Sequence, residues 1–316
     1  MNAITVVIPN WNGMEVIKPC LDSLRSQSMK AFSTILIDNG STDGSLELVR
    51  AGYPEVRVKA FAENTGFSRA VNEGIRQSDT PYVVLLNNDT VCAKHFLEEL
   101  YRCIKRHPNA FSCSARMEQM KQPGILDGAG DYYCALGWAF ADGKGKRSRC
   151  RRREHKVFSS CAGAAIYRRD LLEELGGFNE QHFAYLEDVD LGYRAQIRGY
   201  ENWYAPKALV LHAGSAASGS AHNPFKVSLS SRNSMYLIGG NMPVWQIALN
   251  LPFLTAGTAV KYVYFCKKGL GSCYRKGILE GIRMAFRDRK KGHCPPREGQ
   301  YLKIQLQLWA NLFRRF

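Results

Sequence analysis

Ile4-Thr5-Val6-Val7-Ile8-Pro9-Asn10-Trp11-Asn12-Gly13 opens the chain with five β-branched residues that stop at a proline and an asparagine. An uncharged run of that length and composition reads as a buried strand closed by Pro9. Working outward, Val16, Ile17, Leu21 and Leu24 recur at helical spacing within 14–28. A second strand follows at 34–37, and Asp43 or Thr42 is placed to cap a helix over 46–49. A strand at 56–60, a helix at 67–76, a strand at 82–86 and a helix around 96–104 complete the series. Strand and helix alternating four times predict a mostly parallel α/β sheet flanked by helices, open to ligand at the strands' carboxyl ends.

The polar residues fall at those ends. Pro9, Asn10 and Asn12 follow the first strand, Asp38, Asn39, Gly40, Ser41 and Asp43 the second, and Asn87, Asn88 and Asp89 the fourth. One such loop is an ordinary turn; three at one sheet edge are a binding site. Asp89 is placed to take a divalent cation, because Mg²⁺ and Mn²⁺ favour oxygen ligands and use one or two carboxylates with substrate phosphates. His212, closing a strand at 208–211, is a candidate second ligand or a structural histidine. Asp38 can accept the imide N–H of a uracil or thymine, a charge-assisted bond. Arg69, after Asn64-Thr65-Gly66-Phe67-Ser68, can meet a diphosphate or the base, or is a plain helix-face arginine.

Beyond residue 110 the pattern loosens. Residues 124–145 are glycine-rich, a loop with short strands; 158–167 is a small-residue strand; 170–175 and 186–198 are helices. The densest acidic group is Glu187-Asp188-Val189-Asp190 with Arg194 nearby, and Asp190 and Arg194 share a helix face. One of these acids can serve as general base, or the group offsets a helix dipole.

The 316 residues carry 43 Lys or Arg against 28 Asp or Glu, a net +15, which calls for a polyanionic partner. The excess is local: 14 basic against 3 acidic residues in 261–316, and 8 against 2 in 142–156, the rest being near neutral. Residues 233–260 hold no charge but include Asn241, Pro243, Gln246, Asn250 and Pro252. A helix lying in a membrane interface or docking on the main domain fits them better than a transmembrane span. Aromatics among the basic residues beyond suit an anionic lipid surface. No nucleic-acid motif accompanies the charge, so no nucleic-acid partner is expected. The loop 142–156 either grips an anionic acceptor or is solvated charge. Ten cysteines show no zinc spacing and read as small buried hydrophobes of a reducing compartment, and no signal peptide precedes the first strand.

The segments 7–13, 37–45, 64–67 with Asn72, 85–90, 176–179, 185–191 with Arg194, His212 and Ser231-Arg232-Asn233 occur in an order that resembles family 2 inverting glycosyltransferases, most nearly the bacterial rhamnosyltransferase-like branch. The resemblance covers roughly residues 3–243. It implies a GT-A fold over 1–232, with a nucleotide-binding half 1–110 and an acceptor half 111–232, and a helical C-terminal extension 233–316. It implies a donor site of Pro9, Asn10, Asn12, Asp38, Asn39, Ser41, Asn64, Gly66, Arg69, Asn72, Asn87 and Asn88. Asp89 with His212 would hold Mn²⁺ or Mg²⁺; Asn87 stands where the family's first metal-motif acid lies. Asp188, with Glu187, would be the catalytic base, and Asp190, Arg194 and Arg232 would bind acceptor or phosphate. The expected donor is a nucleotide-diphospho-sugar, dTDP-rhamnose first and UDP-hexoses or UDP-galactofuranose next. The expected acceptor is a lipid-linked glycan, met at the cytoplasmic face of the cell membrane by a peripheral enzyme. A sugar-nucleotide nucleotidyltransferase and a non-catalytic partner subunit remain as alternatives.

Overall fold

The computed structural model describes residues 2–214, 223–288 and 297–315. The first third is the expected series: β1 (Ile4–Asn10), α1 (Ile17–Arg25), β2 (Phe32–Asp38), α2 (Ser45–Gly52), β3 (Val56–Ala60), α3 (Phe67–Arg76), β4 (Tyr82–Leu86), β5 (Thr90–Cys92) and α4 (Phe96–Arg106). Alternation along β1 sorts its side chains. Ile4, Val6 and Ile8 pack with Leu21 and Leu24 of α1 and Phe96 and Leu100 of α4, while Val7 packs on the other face with Ala70, Val71 and Ile75 of α3. There α3 lies so close that a Cβ on Gly74 would fall 2.2 Å from Val7 Cγ1.

β6 (Ala110–Gln119), β7 (Gln122–Gly128), β8 (Asp131–Cys134), β9 (Trp138–Ala141), β10 (His155–Val157), β11 (Ala164–Arg168), α5 (Arg169–Glu174), α6 (Glu187–Ile197) and β12 (Glu201–His212) follow. Among the described residues the main sheet runs β10-β12-β6-β11-β4-β1-β2-β3, with β5 on β12 and β7 on β6. The parallel character holds for β3-β2-β1-β4 and for β6 with β12; β11, between β4 and β6, is antiparallel to both. Beside β1 the chain order reverses, from β2 and β3 on one side to β4 on the other. Open α/β sheets bind ligands at such a switch point, outside the strands' carboxyl ends.

Four local expectations change. Pro9 lies inside β1, because pairing with β4 stops at Val7 while pairing with β2 continues to Asn10, so no β4 bond is demanded of the proline nitrogen. The cap residue of α2 is Gly44 at φ 85°, and Asp43 acts from one residue earlier, accepting the Ser45 N–H. The apolar run 158–167 is strand only from Ala164, whereas the glycine-rich 124–145 holds short strands as expected: β8, β9 and most of β7. The proposed boundary after residue 232 falls inside α7 (Pro224–Asn241), which is followed by α8 (Val244–Lys267), α9 (Gly271–Asp288) and α10 (Gln300–Arg315). Ile304 and Leu308 of α10 are buried with Tyr133, Phe158, Tyr193 and Leu237, so the last helix completes a core begun at Leu126. Arg289, Lys290, Lys291 and Cys294 of the basic tail lie outside the described residues. No helix among the described residues is long and apolar enough to cross a membrane.

Candidate active site

Parallel register brings the first two polar loops together, since Asn10 stands opposite Asp38 at the ends of β1 and β2. The Asn10 amide donates to Asp38 Oδ1 at 3.0 Å and Ser45 Oγ at 3.0 Å, and its oxygen accepts from Asn88 at 2.8 Å. One buried side chain thus ties the loops after β1, β2 and β4. Asp38 also accepts the Ser41 hydroxyl at 2.6 Å and the Ser41 N–H at 3.0 Å. Asn12, at φ 49°, accepts the Thr42 N–H. Asn39 reaches onward, donating to Asn64 Oδ1 and the Gly66 carbonyl and accepting from Thr65. Pro9 is half-buried beside this network, and the exposed Arg69 stands 5.8 Å from the Phe61 ring.

Asp89 and His212 converge from separate strands because β5 pairs with the end of β12, placing His212 opposite Thr90. Asp89 Oδ1 lies 3.2 Å from His212 Nε2, and Asp127 Oδ2 lies 2.7 Å from His212 Nδ1. Burial alone would lower the imidazole's pKa, but its bonds to Asp127 and Asp89 and their charges lift it to about 9. The bond from His212 holds the Asp127 carboxyl well below its ordinary range against burial, helped by Lys144 at 2.8 Å. This donor set fits a divalent cation. One carboxylate oxygen and one imidazole nitrogen face each other at the separation of neighbouring ligands on an octahedral ion with bonds of about 2.1 Å, which is about 3 Å, and the second imidazole nitrogen is already held.

The base candidates sit across a short turn from this pair. Asn87 donates its N–H to the Gly163 carbonyl at 2.9 Å, and the Asp188 carboxylate accepts the neighbouring Ala162 N–H. Asp188 also accepts the Val189 N–H at 2.8 Å. The ligand atoms of Asp131, Cys161 and Asp188 lie within 4.8 Å of one another. Burial raises the Asp188 carboxyl; burial and then the charge of Asp188 raise Asp131 and Glu187 well above the carboxylate range. Glu187 Oε2 is buried without a hydrogen-bond partner among the described residues. The backbone entering α6 is strained, with Phe183, Tyr185 and Leu186 at φ of 62°, 70° and 67°. Asn233 holds it, its amide 2.8 Å from each of the His182, Ala184 and Tyr185 carbonyls.

Four expected site residues are hydrogen-bonded to protein groups. Asn72 spends its amide on the Phe178 backbone and Glu180, bracing the 178–180 segment. Arg194 spends its guanidinium on Asp190 and the Leu175 and Gly177 carbonyls. Asp190 accepts from Asn241 as well, and Arg194 and His182 keep its carboxyl low against the effect of burial. Arg232 donates to the Gln181 and His182 carbonyls beside Asn233. Arg194, Asp190 and Arg232 thus brace the segments before and within α6, the helix that carries Asp188. Asp127 and Asp131 are not singled out by the sequence, where the one visible signal is the pair of acids bracketing Gly128-Ala129-Gly130; Asn233 stands in a segment of the family resemblance but with no role attached.

The glycosyl transferase family 2 model matches residues 5–176, which is more than half of the chain.

The chain belongs to glycosyl transferase family 2.

This family 2 member is a glycosyltransferase. The matched stretch holds the donor edge and Asp89 but ends before Asp188 and His212. Proteins of two Mycobacterium tuberculosis strains, H37Rv and CDC 1551, bear the name N-acetylglucosaminyl-diphospho-decaprenol L-rhamnosyltransferase. Each is 28% identical to this glycosyltransferase over 243 residues, 69% of this chain and 78% of the relative. Among solved structures, a Pyrobaculum calidifontis mannosyltransferase in complex with GDP-Man and Mn²⁺ aligns with a TM-score of 0.56 at 16% identity, over 91% of this chain and 86% of that one. GalNAc-T7 with UDP, GalNAc and Mn²⁺ aligns with a TM-score of 0.59 at 13% identity, over 75% of this chain and 48% of that one. These likenesses establish the GT-A fold: a mixed α/β sheet flanked by helices.

Proposed function

We infer that this glycosyltransferase moves a sugar, rhamnose first among candidates, from a nucleotide-diphospho-sugar to a hydroxyl of a lipid-linked glycan, with inversion. The observation that carries the reading is the convergence of Asp89 and His212 at one sheet edge, with Asp188 joined to that edge through the 162–163 turn. The names of the mycobacterial relatives favour rhamnose and a diphosphate-linked lipid acceptor. Asp38 and the Asn10 network would seat the base of dTDP or UDP. Asp89 and His212 would hold Mn²⁺ or Mg²⁺, an ion that supplies charge to stabilise the departing diphosphate. Asp188 takes the proton of the acceptor hydroxyl as that oxygen bonds to the anomeric carbon; the bond from carbon to diphosphate oxygen breaks on the opposite face. A carboxyl with a raised pKa is the stronger base for that transfer. Asn87, in place of an acid, leaves Asp89 and His212 as the ion's protein ligands.

The acceptor is reached at the cytoplasmic face of an anionic membrane by a peripheral protein. α8 supports this, because it is turned inside out. It buries Gln246 and Asn250 beside Leu254 and Gly257, and exposes Trp245, Leu249, Leu251, Phe253, Val260 and Val263. Gln246 accepts the Tyr193 hydroxyl and Asn250 exchanges two amide bonds with Gln305, so the polar face is committed to the protein. Lys267, Lys268, Arg275 and Lys276 follow within ten residues.

The test is transfer from dTDP-rhamnose and a panel of UDP-sugars to a lipid-diphosphate-linked N-acetylglucosamine, in EDTA and after adding Mn²⁺ or Mg²⁺. The expected result is no transfer in EDTA and recovery with the metal. Full transfer in chelator would remove Asp89 and His212 from this role.

A further inference from the structure

Asp127 occupies an irregular place in β7. Met117 of β6 pairs with Gly128 and the next β6 residue, Glu118, pairs with Leu126, so Asp127 is the unpaired residue of a bulge. Bulges bend a strand and re-aim a side chain, and they are over-represented beside active sites. Here the re-aimed carboxylate crosses to β12 and meets His212 Nδ1 at 2.7 Å, with Lys144 on its other oxygen at 2.8 Å. The side chains of Asp127 and His212 are 17% and 14% exposed, so the contact is largely shielded from water.

We propose that Asp127 is the positioning residue of the metal site: its carboxylate accepts the Nδ1–H of His212, fixes the tautomer that presents the Nε2 lone pair beside Asp89, and so sets the affinity for a divalent cation. The inference rests on His212 being a ligand. A histidine ligand that lacks such a partner can flip its ring or carry its proton on the wrong nitrogen, and loss of this kind of partner costs about 10–100-fold in metal affinity. Lys144 ties the basic loop to the same carboxylate, giving one of its charges a fixed partner.

Mn²⁺ binding to the full chain, read by EPR titration with and without dTDP or UDP, tests this in wild type, Asp127→Ala, Asp127→Asn, His212→Ala and the Asp127→Ala/His212→Ala double variant. The expected result is Mn²⁺ affinity lowered about 10–100-fold by Asp127→Ala and less by Asp127→Asn, whose amide oxygen still accepts Nδ1–H. Little further loss is expected when Asp127→Ala is added to His212→Ala. Wild-type affinity in both Asp127 variants overturns the proposal, and so does a loss of equal size in the His212→Ala background, which would mean that Asp127 acts independently of the ring. Should Asp127→Ala fail to fold, the near-isosteric Asn variant carries the comparison alone and in the His212→Ala background. Wild-type affinity in His212→Ala is the separate outcome that refutes the ligand reading itself.

Discussion

Asp188 owes its chemistry to what surrounds it. Burial in the company of Asp131 and Glu187 opposes its ionised form, while three backbone N–H groups, of Val189, Ala162 and Asp188 itself, favour it. Glu187 has one carboxylate oxygen buried and without a hydrogen bond among the described residues. A carboxyl whose pKa is higher in the fold than in the unfolded chain keeps its proton longer when folded. Its contribution to stability is therefore full below the unfolded value, about 4.3 for glutamate, and is lost as pH rises through the raised value. Glu187→Gln is accordingly expected to raise the melting temperature at pH 8 and to change it little at pH 4. A lower melting temperature at pH 8 would show that the ionised carboxylate is stabilised by a group outside those described. Such an acid, kept at the head of the helix that carries the base, is the usual cost of a prepared active site.

The C-terminal elements combine tight packing inside with an apolar exterior. α9 crosses α7 so closely that a Cβ on Gly281 would fall 2.1 Å from the Arg232 carbonyl oxygen. Gly281→Val must force these helices apart, with an expected loss of about 1–3 kcal/mol, the usual range for overpacking, read as a lower denaturation midpoint. An unchanged midpoint would mean that the contact yields freely. Because α7 supplies Arg232 and Asn233 to the loop before Asp188, activity should fall with it. On the outer side, every large hydrophobic side chain that the described residues expose, apart from Trp11 and Met14, belongs to α7–α10. Removing the whole tail would uncover Tyr133 and Phe158, so surface substitutions give the cleaner membrane test. Leu249→Glu with Val263→Glu is expected to weaken sedimentation with anionic phosphatidylglycerol vesicles about tenfold or more, since each apolar side chain is worth about 1.5–3 kcal/mol when buried. Equal sedimentation, or sedimentation with neutral vesicles alone, would contradict the docking face.

Across the whole molecule, local sequence patterns located β3, α3 and β4 to the residue, because each is framed by its own periodicity and punctuation. They also placed Asn10, Asp38 and Asp89 at one edge, since parallel strands linked by helices leave no other arrangement. What lay beyond them was decided by distant partners. Nothing near Asp127 announces a bulge aimed at a histidine 85 residues later, and nothing near Asn72, Asp190, Arg194 or Arg232 distinguishes a brace from a binding residue. Polar side chains at the right spacing look alike until the backbone that claims them is in place. The orientation of α8 was hidden for the same reason: the composition showed no charge up to residue 260, but partners such as Tyr193 and Gln305 decide which face turns inward.

The reaction scheme meets its most direct test in Asp188→Asn, assayed for glycosyl transfer and for nucleotide-sugar binding in the same preparation. The account requires turnover to fall by about 10²-fold or more, the scale of general-base assistance, with donor affinity nearly unchanged. Turnover close to that of the wild type would contradict it and move the base elsewhere.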